Sequence, residues 1–92
     1  MSKFILSKEV RLKFDEASDK YYAFLIESGE HFNLNKTGYK ILSNLYKEKT
    51  LEEIVGLLSL EMNVDEKTLR NDTIYFLELS EKNGIIAHTS DK

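Results

Sequence analysis

Between Glu30 and Ile41 the hydrophobic period of the chain changes from two to that of a helix. In the stretch Glu30–Leu34, Phe32 and Leu34 alternate with His31 and Asn33, the pattern of a half-buried strand. From Asn35 onward Tyr39, Ile41, Leu42, Leu45 and Tyr46 recur at helical spacing through about Glu48. Asn35 suits the N-cap at the junction, because its side-chain oxygen can accept an amide hydrogen that the first helical turn leaves unpaired. With a helix starting at once, Glu30–Leu34 is expected at the edge of whatever sheet precedes it.

That sheet is legible upstream. Val10, Leu12 and Phe14 alternate with Arg11 and Lys13, and Phe4 and Leu6 either extend this pattern or form a small leading strand. The polar Glu16–Lys20 suits a hairpin connection. Tyr21–Ile26 is aromatic and apolar without a break, as expected of a central strand covered on much of both faces. Ser28-Gly29 supplies a tight turn into the third strand.

Downstream, Thr50-Leu51-Glu52-Glu53 fits a capping box, and Leu51, Ile54, Val55, Leu58 and Met62 form the buried stripe of a second helix. Gly56 inside it costs about 1 kcal/mol against alanine and suggests a close helix contact. Asn63-Val64-Asp65 interrupts the pattern, with Asp65 as the next N-cap. The third helix runs to about Asn83, and Gly84 ends it. Its apolar residues Leu69, Ile74, Tyr75, Phe76, Leu77 and Leu79 spread round more of the circumference than a single core contact needs. Ile85-Ile86 returns to the core, and His88–Lys92 is expected to fray. The reading is a single α+β domain over 1–92, with its core at about 4–87. It is winged helix-turn-helix-like: a three-stranded antiparallel sheet followed by three helices.

Composition removes several function classes. The 92 residues carry a formal charge of −3, with lysines scattered among glutamates, so a phosphate-binding surface is not expected. There is no cysteine, hence no disulfide, thiolate metal site or thiol nucleophile. His31 and His88 lack partners for a metal site, and no serine sits in a strained nucleophile motif. No apolar run approaches the length of a membrane span, and the N-terminal apolar segment is too short for a signal peptide. The expectation is a cytoplasmic, non-catalytic domain without cofactor or metal.

Leu34-Asn35-Lys36-Thr37-Gly38 with Ile41 resembles the PqqD family, whose pattern is leucine-asparagine, threonine-glycine and an isoleucine in the first helix. Thr50-Leu51-Glu52-Glu53-Ile54 resembles that family's start of helix two. Phe76-Leu77, Leu79 and Gly84-Ile85-Ile86 resemble its end of helix three. The likeness covers about residues 9–87; Leu42 departs from it, since many relatives have tryptophan there.

The resemblance implies a recognition element that binds the leader segment of a ribosomally made precursor peptide. The leader would add as an antiparallel strand to the third strand and lie against the third helix. The expected binding residues are Glu30, His31, Phe32, Asn33 and Leu34 on the strand. Helix three would contribute Leu69, Asp72, Thr73, Phe76 and Leu79. The implied partners are the leader peptide and a modifying enzyme, either a radical enzyme, a leader peptidase or an ATP-dependent cyclase. The domain itself would be a monomer or an edge-paired homodimer. Two other readings are a winged-helix DNA-binding regulator and a small protein–protein adaptor. The first is disfavoured, because Asp65, Glu66, Asp72, Glu78 and Glu81 offset the few basic residues of helix three.

Overall fold

The computed structural model describes residues 2–90. Among these residues six strands and three α-helices follow in this order: β1 (Ser2–Leu6), β2 (Val10–Asp15), β3 (Lys20–Leu25), β4 (His31–Leu34), α1 (Lys36–Ser43), β5 (Lys49–Thr50), α2 (Leu51–Met62), α3 (Glu66–Lys82) and β6 (Ile86–Ser90). The expected antiparallel meander is present, in the order β2-β3-β4 with β3 in the centre. Ala23 of β3 is fully buried, whereas Tyr22 and Phe24 on its opposite face are half-exposed, so only one face of this strand is covered by the core.

A second antiparallel sheet, in the order β5-β1-β6, adds to the expected one. It joins the two ends of the chain: Phe4 pairs with His88, Ile5 with Ala87 and Leu6 with Ile86. The expectation that the segment from His88 frays is therefore corrected. Leu6 and Ile86 anchor the pairing in the core, and the Phe4 and His88 rings stack at 5.2 Å. Asp91 and Lys92, the rest of that segment, lie outside the described residues.

The first helix is also shorter than its apolar stripe implies. It stops at Ser43, and a 3-10 turn spans Asn44–Tyr46. The Asn44 side chain donates to the Lys40 carbonyl at 2.8 Å and competes with continuation of the helix. Leu45 keeps its buried place in the turn, so the hydrophobic period continues where the helix does not.

The remaining helix signals match their expected roles. The Thr50 hydroxyl accepts from the Glu53 amide at 3.2 Å, and the Glu53 carboxylate accepts from the Thr50 amide at 2.9 Å, a complete capping box. Asp65 caps α3 through the Thr68 amide at 3.0 Å. After α3, Gly84 adopts a φ of 78°, which lets the Ile85 amide turn back to the Ser80 carbonyl at 2.9 Å. Gly56 is different: a Cβ there would meet nothing within 4 Å, so the close contact expected at this glycine is absent. Both sheets and all three helices supply one core, including Val10, Ala23, Ile41, Leu42, Ile54, Leu58, Leu69, Leu77 and Ile86.

Candidate functional site

The site follows from how β4 ends and what lies beside it. The side chains of β4 alternate as the sequence predicts, with His31 and Asn33 exposed and Phe32 and Leu34 half-buried against the core. Its backbone alternates too. The Leu25 amide donates to the Glu30 carbonyl at 3.0 Å, so the Leu25–Glu30 pair is hydrogen-bonded across β3 and β4. The β3–β4 register then makes Ala23–Phe32 and Tyr21–Leu34 hydrogen-bonded pairs as well. On the other side of β3, the Ile26 amide donates to the Glu9 carbonyl at 2.9 Å, which fits the same alternation. Phe32 and Leu34 thus direct their backbone groups at β3, as does the Glu30 carbonyl, while the Glu30 amide donates to the Ser28 hydroxyl at 3.3 Å. His31 and Asn33 direct theirs away from the sheet, at an edge with no neighbouring strand among the described residues.

The sheet's other edge is partly closed by the chain itself. The Val10 amide donates to the Ser7 carbonyl at 3.2 Å, and the Arg11 guanidinium donates to the Val10 carbonyl at 3.1 Å. Such local capping is how exposed edges are kept from pairing. Among the described residues β4 carries no such cap, whereas on β2 it covers Val10 alone.

Directly after β4, Asn35 caps α1 by accepting from the Gly38 amide at 2.7 Å. Gly38 is buried, and a Cβ there would lie 2.9 Å from Cε1 of Phe76 and 3.1 Å from its Cζ. The glycine of the Thr37-Gly38 pair therefore serves the approach of α3 to α1, seating the Phe76 ring on the first turn. Asn35, Thr37, Gly38 and Ile41 on α1 enclose a shallow groove with Asp72, Tyr75 and Phe76 on α3, of about 390 Å³.

The helix-three residues expected to bind divide by their position on the helix. Leu69 and Thr73 are buried, at 2% and 0% exposure, and belong to the core side. Asp72 and Phe76 line the groove, and Leu79, 47% exposed, continues the same flank one turn on. Thr73 carries a buried hydroxyl with no hydrogen-bond partner. Tyr75, one of the apolar residues spread round this helix and not among those expected to bind, is 70% exposed and lines the groove. The spacing of Asp72, Tyr75, Phe76 and Leu79 at i, i+3, i+4 and i+7 is the signal that places it with them. The opposite flank of α3 carries Ile74, Leu77 and Glu78 against Phe4, Leu51 and His88, which accounts for the rest of its broad apolar spread.

Among the described residues no group of histidine, aspartate and glutamate could hold a metal ion, and no helix is long and apolar enough to cross a membrane. The groove and the open strand edge can instead offer hydrogen bonds and apolar contact to an extended chain.

The fold and site define a small winged helix-turn-helix domain with an open edge strand beside a helical groove. The family profile for coenzyme PQQ synthesis protein D (PqqD) matches residues 15–86, and the chain belongs to that family. Among solved structures it is similar to TbiB1 in complex with the TbiA(beta) leader peptide, at 26% identity and a TM-score of 0.76 over 95% of this chain and 99% of that one. It shares the fold of the PqqD truncation of Methylobacterium extorquens PqqCD, a stand-alone recognition element for ribosomally synthesised, post-translationally modified peptides. That match has 20% identity and a TM-score of 0.78, covering 92% of this chain and 88% of the other. Lasso peptide synthetase B1, complexed with the leader peptide, has the same fold at 20% identity and a TM-score of 0.73, over 91% and 96% of the two chains. No curated protein sequence matches significantly.

Proposed function

We propose that this protein binds the leader segment of a ribosomally made precursor peptide by strand addition to β4. It would then deliver the peptide to a modifying or leader-cleaving enzyme. The observation that carries this reading is the outward-facing backbone of His31 and Asn33 beside the α1–α3 groove. Membership of the PqqD family supports it, as does the likeness to TbiB1, a protein solved with a leader peptide. An antiparallel leader strand would exchange backbone hydrogen bonds with His31 and Asn33. Each is worth a net of about 0.5–1.5 kcal/mol. Its groove-side residues would meet Phe76, Tyr75 and Leu79, and Asp72 adds a carboxylate at the rim. Leu69 and Thr73 support the helix from beneath.

In this role the domain positions the peptide, needs no cofactor, and leaves the chemistry to a radical enzyme, a leader peptidase or an ATP-dependent cyclase. The cytoplasm, where precursor peptides are made, is its place of action. A second copy paired at β4 would compete with the leader for the same edge.

Titration of a labelled leader peptide, taken from a precursor encoded beside this protein, tests the reading. Saturable binding with amide shifts at His31, Asn33, Tyr75 and Phe76 is expected. Absence of leader binding, together with salt-sensitive binding to duplex DNA, would overturn it in favour of a regulator.

A further inference from the structure

The face of the β2-β3-β4 sheet turned away from the core has an unusual make-up. Cross-strand register places Arg11 beside Phe24 and His31 in one row, and Lys13 beside Tyr22 and Asn33 in the next. The Phe24 and His31 rings lie 5.8 Å apart. Lys13, Tyr22, Phe24 and His31 line a shallow concavity of about 570 Å³, with Asp15 at its end. Tyr22 and Phe24 are half-exposed, and the flanking Arg11, Lys13 and His31 are exposed.

The charge of this face opposes that of the whole chain. The protein carries −3 overall. Here Arg11, Lys13 and Lys20 stand against two carboxylates: Glu9, opposite Ile26 at one end of the face, and Asp15, opposite Lys20 at the other. The Asp15 carboxylate is also held by the Ser18 hydroxyl at 2.8 Å and the Ala17 amide at 3.1 Å, within its own turn. Among the described residues, neither Arg11 nor Lys13 forms an ion pair. Cations beside aromatic rings stabilise a sheet locally, and they also form a surface that prefers carboxylates interleaved with apolar or aromatic groups.

The face is continuous with the open edge, since His31 and Asn33 belong to both. A strand added to β4 would extend this surface by one row, about 4.8 Å further on. Anything docked on Tyr22 and Phe24 would lie beside the outward side chains of the bound peptide. We propose that this outer face docks an acidic, aromatic-containing segment of the protein partner that receives the peptide. The identity of that partner rests on the proposed function; the chemistry of the surface does not. Single-stranded nucleic acid also offers negative charge and rings. A few cations on an acidic chain do not make the concentrated basic groove that such binding uses.

The test uses the full chain, 15N-labelled, and three probes. These are a synthetic dodecapeptide alternating glutamate with tyrosine, its lysine–tyrosine counterpart, and a twelve-residue oligothymidylate. The acidic peptide is expected to shift the amides of Arg11, Lys13, Tyr22, Phe24 and His31, and to weaken about fivefold or more from 50 to 300 mM salt. Lys13→Glu should weaken it at least about fivefold, while leader affinity stays within about twofold. Tyr22→Ser should also weaken it, which keeps the test decisive if Lys13→Glu does not fold. The proposal is overturned if the acidic peptide does not bind, or shifts only the α1–α3 groove. It is equally overturned if the lysine peptide or the oligothymidylate binds this face as well as the acidic peptide does. If the acidic peptide binds here and no leader binds β4, the proposed function fails and the surface remains.

Discussion

The sharpest consequence of the β4 geometry is that two adjacent proline substitutions should have opposite effects. Asn33 is exposed, and its amide points away from β3, where no strand accepts it. Asn33→Pro removes that amide without breaking a ladder bond, at a place where an edge strand tolerates proline. Stability should change by less than about 1 kcal/mol. Peptide binding should lose one backbone hydrogen bond and leave one incoming carbonyl without its donor. Together these amount to about 2 kcal/mol, roughly a thirtyfold rise in Kd. Phe32→Pro instead removes an amide directed at Ala23 and deletes a half-buried ring. It should destabilise the domain by about 3 kcal/mol or more. Asn33→Ala keeps the amide and should bind the leader within about twofold of wild type. Urea unfolding and calorimetric titration of the leader, run on all three variants, read these effects. The reasoning fails if Asn33→Pro folds and binds as wild type. It fails also if Phe32→Pro is the variant that folds normally and loses only binding.

Three further perturbations probe the support of the site. Gly38→Ala would push a Cβ into the Phe76 ring at 2.9 Å. The net loss expected in thermal unfolding is about 1–2 kcal/mol, with weaker leader binding, because overpacking outweighs the gain in helix propensity. Thr73→Val replaces a buried, unpartnered hydroxyl by a methyl of similar shape and should stabilise the fold by about 1 kcal/mol at unchanged leader affinity. Reduced affinity in that variant would show that the peptide reaches the hydroxyl. The Thr50 amide and hydroxyl hold the Glu53 carboxylate below its ordinary pKa. The folded state therefore favours the ionised form, so the contribution is present above the ordinary glutamate pKa and lost as pH falls through the lowered one. Glu53→Gln should accordingly flatten the acid limb of a stability–pH curve and leave the alkaline limb unchanged.

Much of the candidate site was legible in the chain because it depends on local alternation. The inward Phe32 and Leu34, the Asn35 cap and the helical flank with Asp72 and Phe76 all follow from spacing within one element. Other parts depend on what a neighbour does. The sequence shows that Leu69, Thr73, Asp72 and Phe76 share a helix, but only packing against α1 and the core separates the buried pair from the groove pair. Tyr75 reads equally well as core or rim until α1 is placed beside it. The outward direction of the His31 and Asn33 amides required the register with β3, because side-chain pattern alone does not say on which side a strand's neighbour lies.

The same division holds for the whole protein. By itself the sequence determined the β2-β3-β4 meander, the three helices with their caps, and the family signature at Leu34–Gly38. Each is specified by residues within a few positions of one another, where backbone sterics, capping and hydrophobic period act. Only the tertiary structure decided the second sheet, since β1 and β6 pair across nearly the full length of the chain and neither strand carries a local mark of the other. It decided too why Gly38 must be a glycine: Phe76, which would meet its Cβ, lies 38 residues further along the chain. Local chemistry sets which elements form, and long-range packing sets which of their surfaces remain open to a partner.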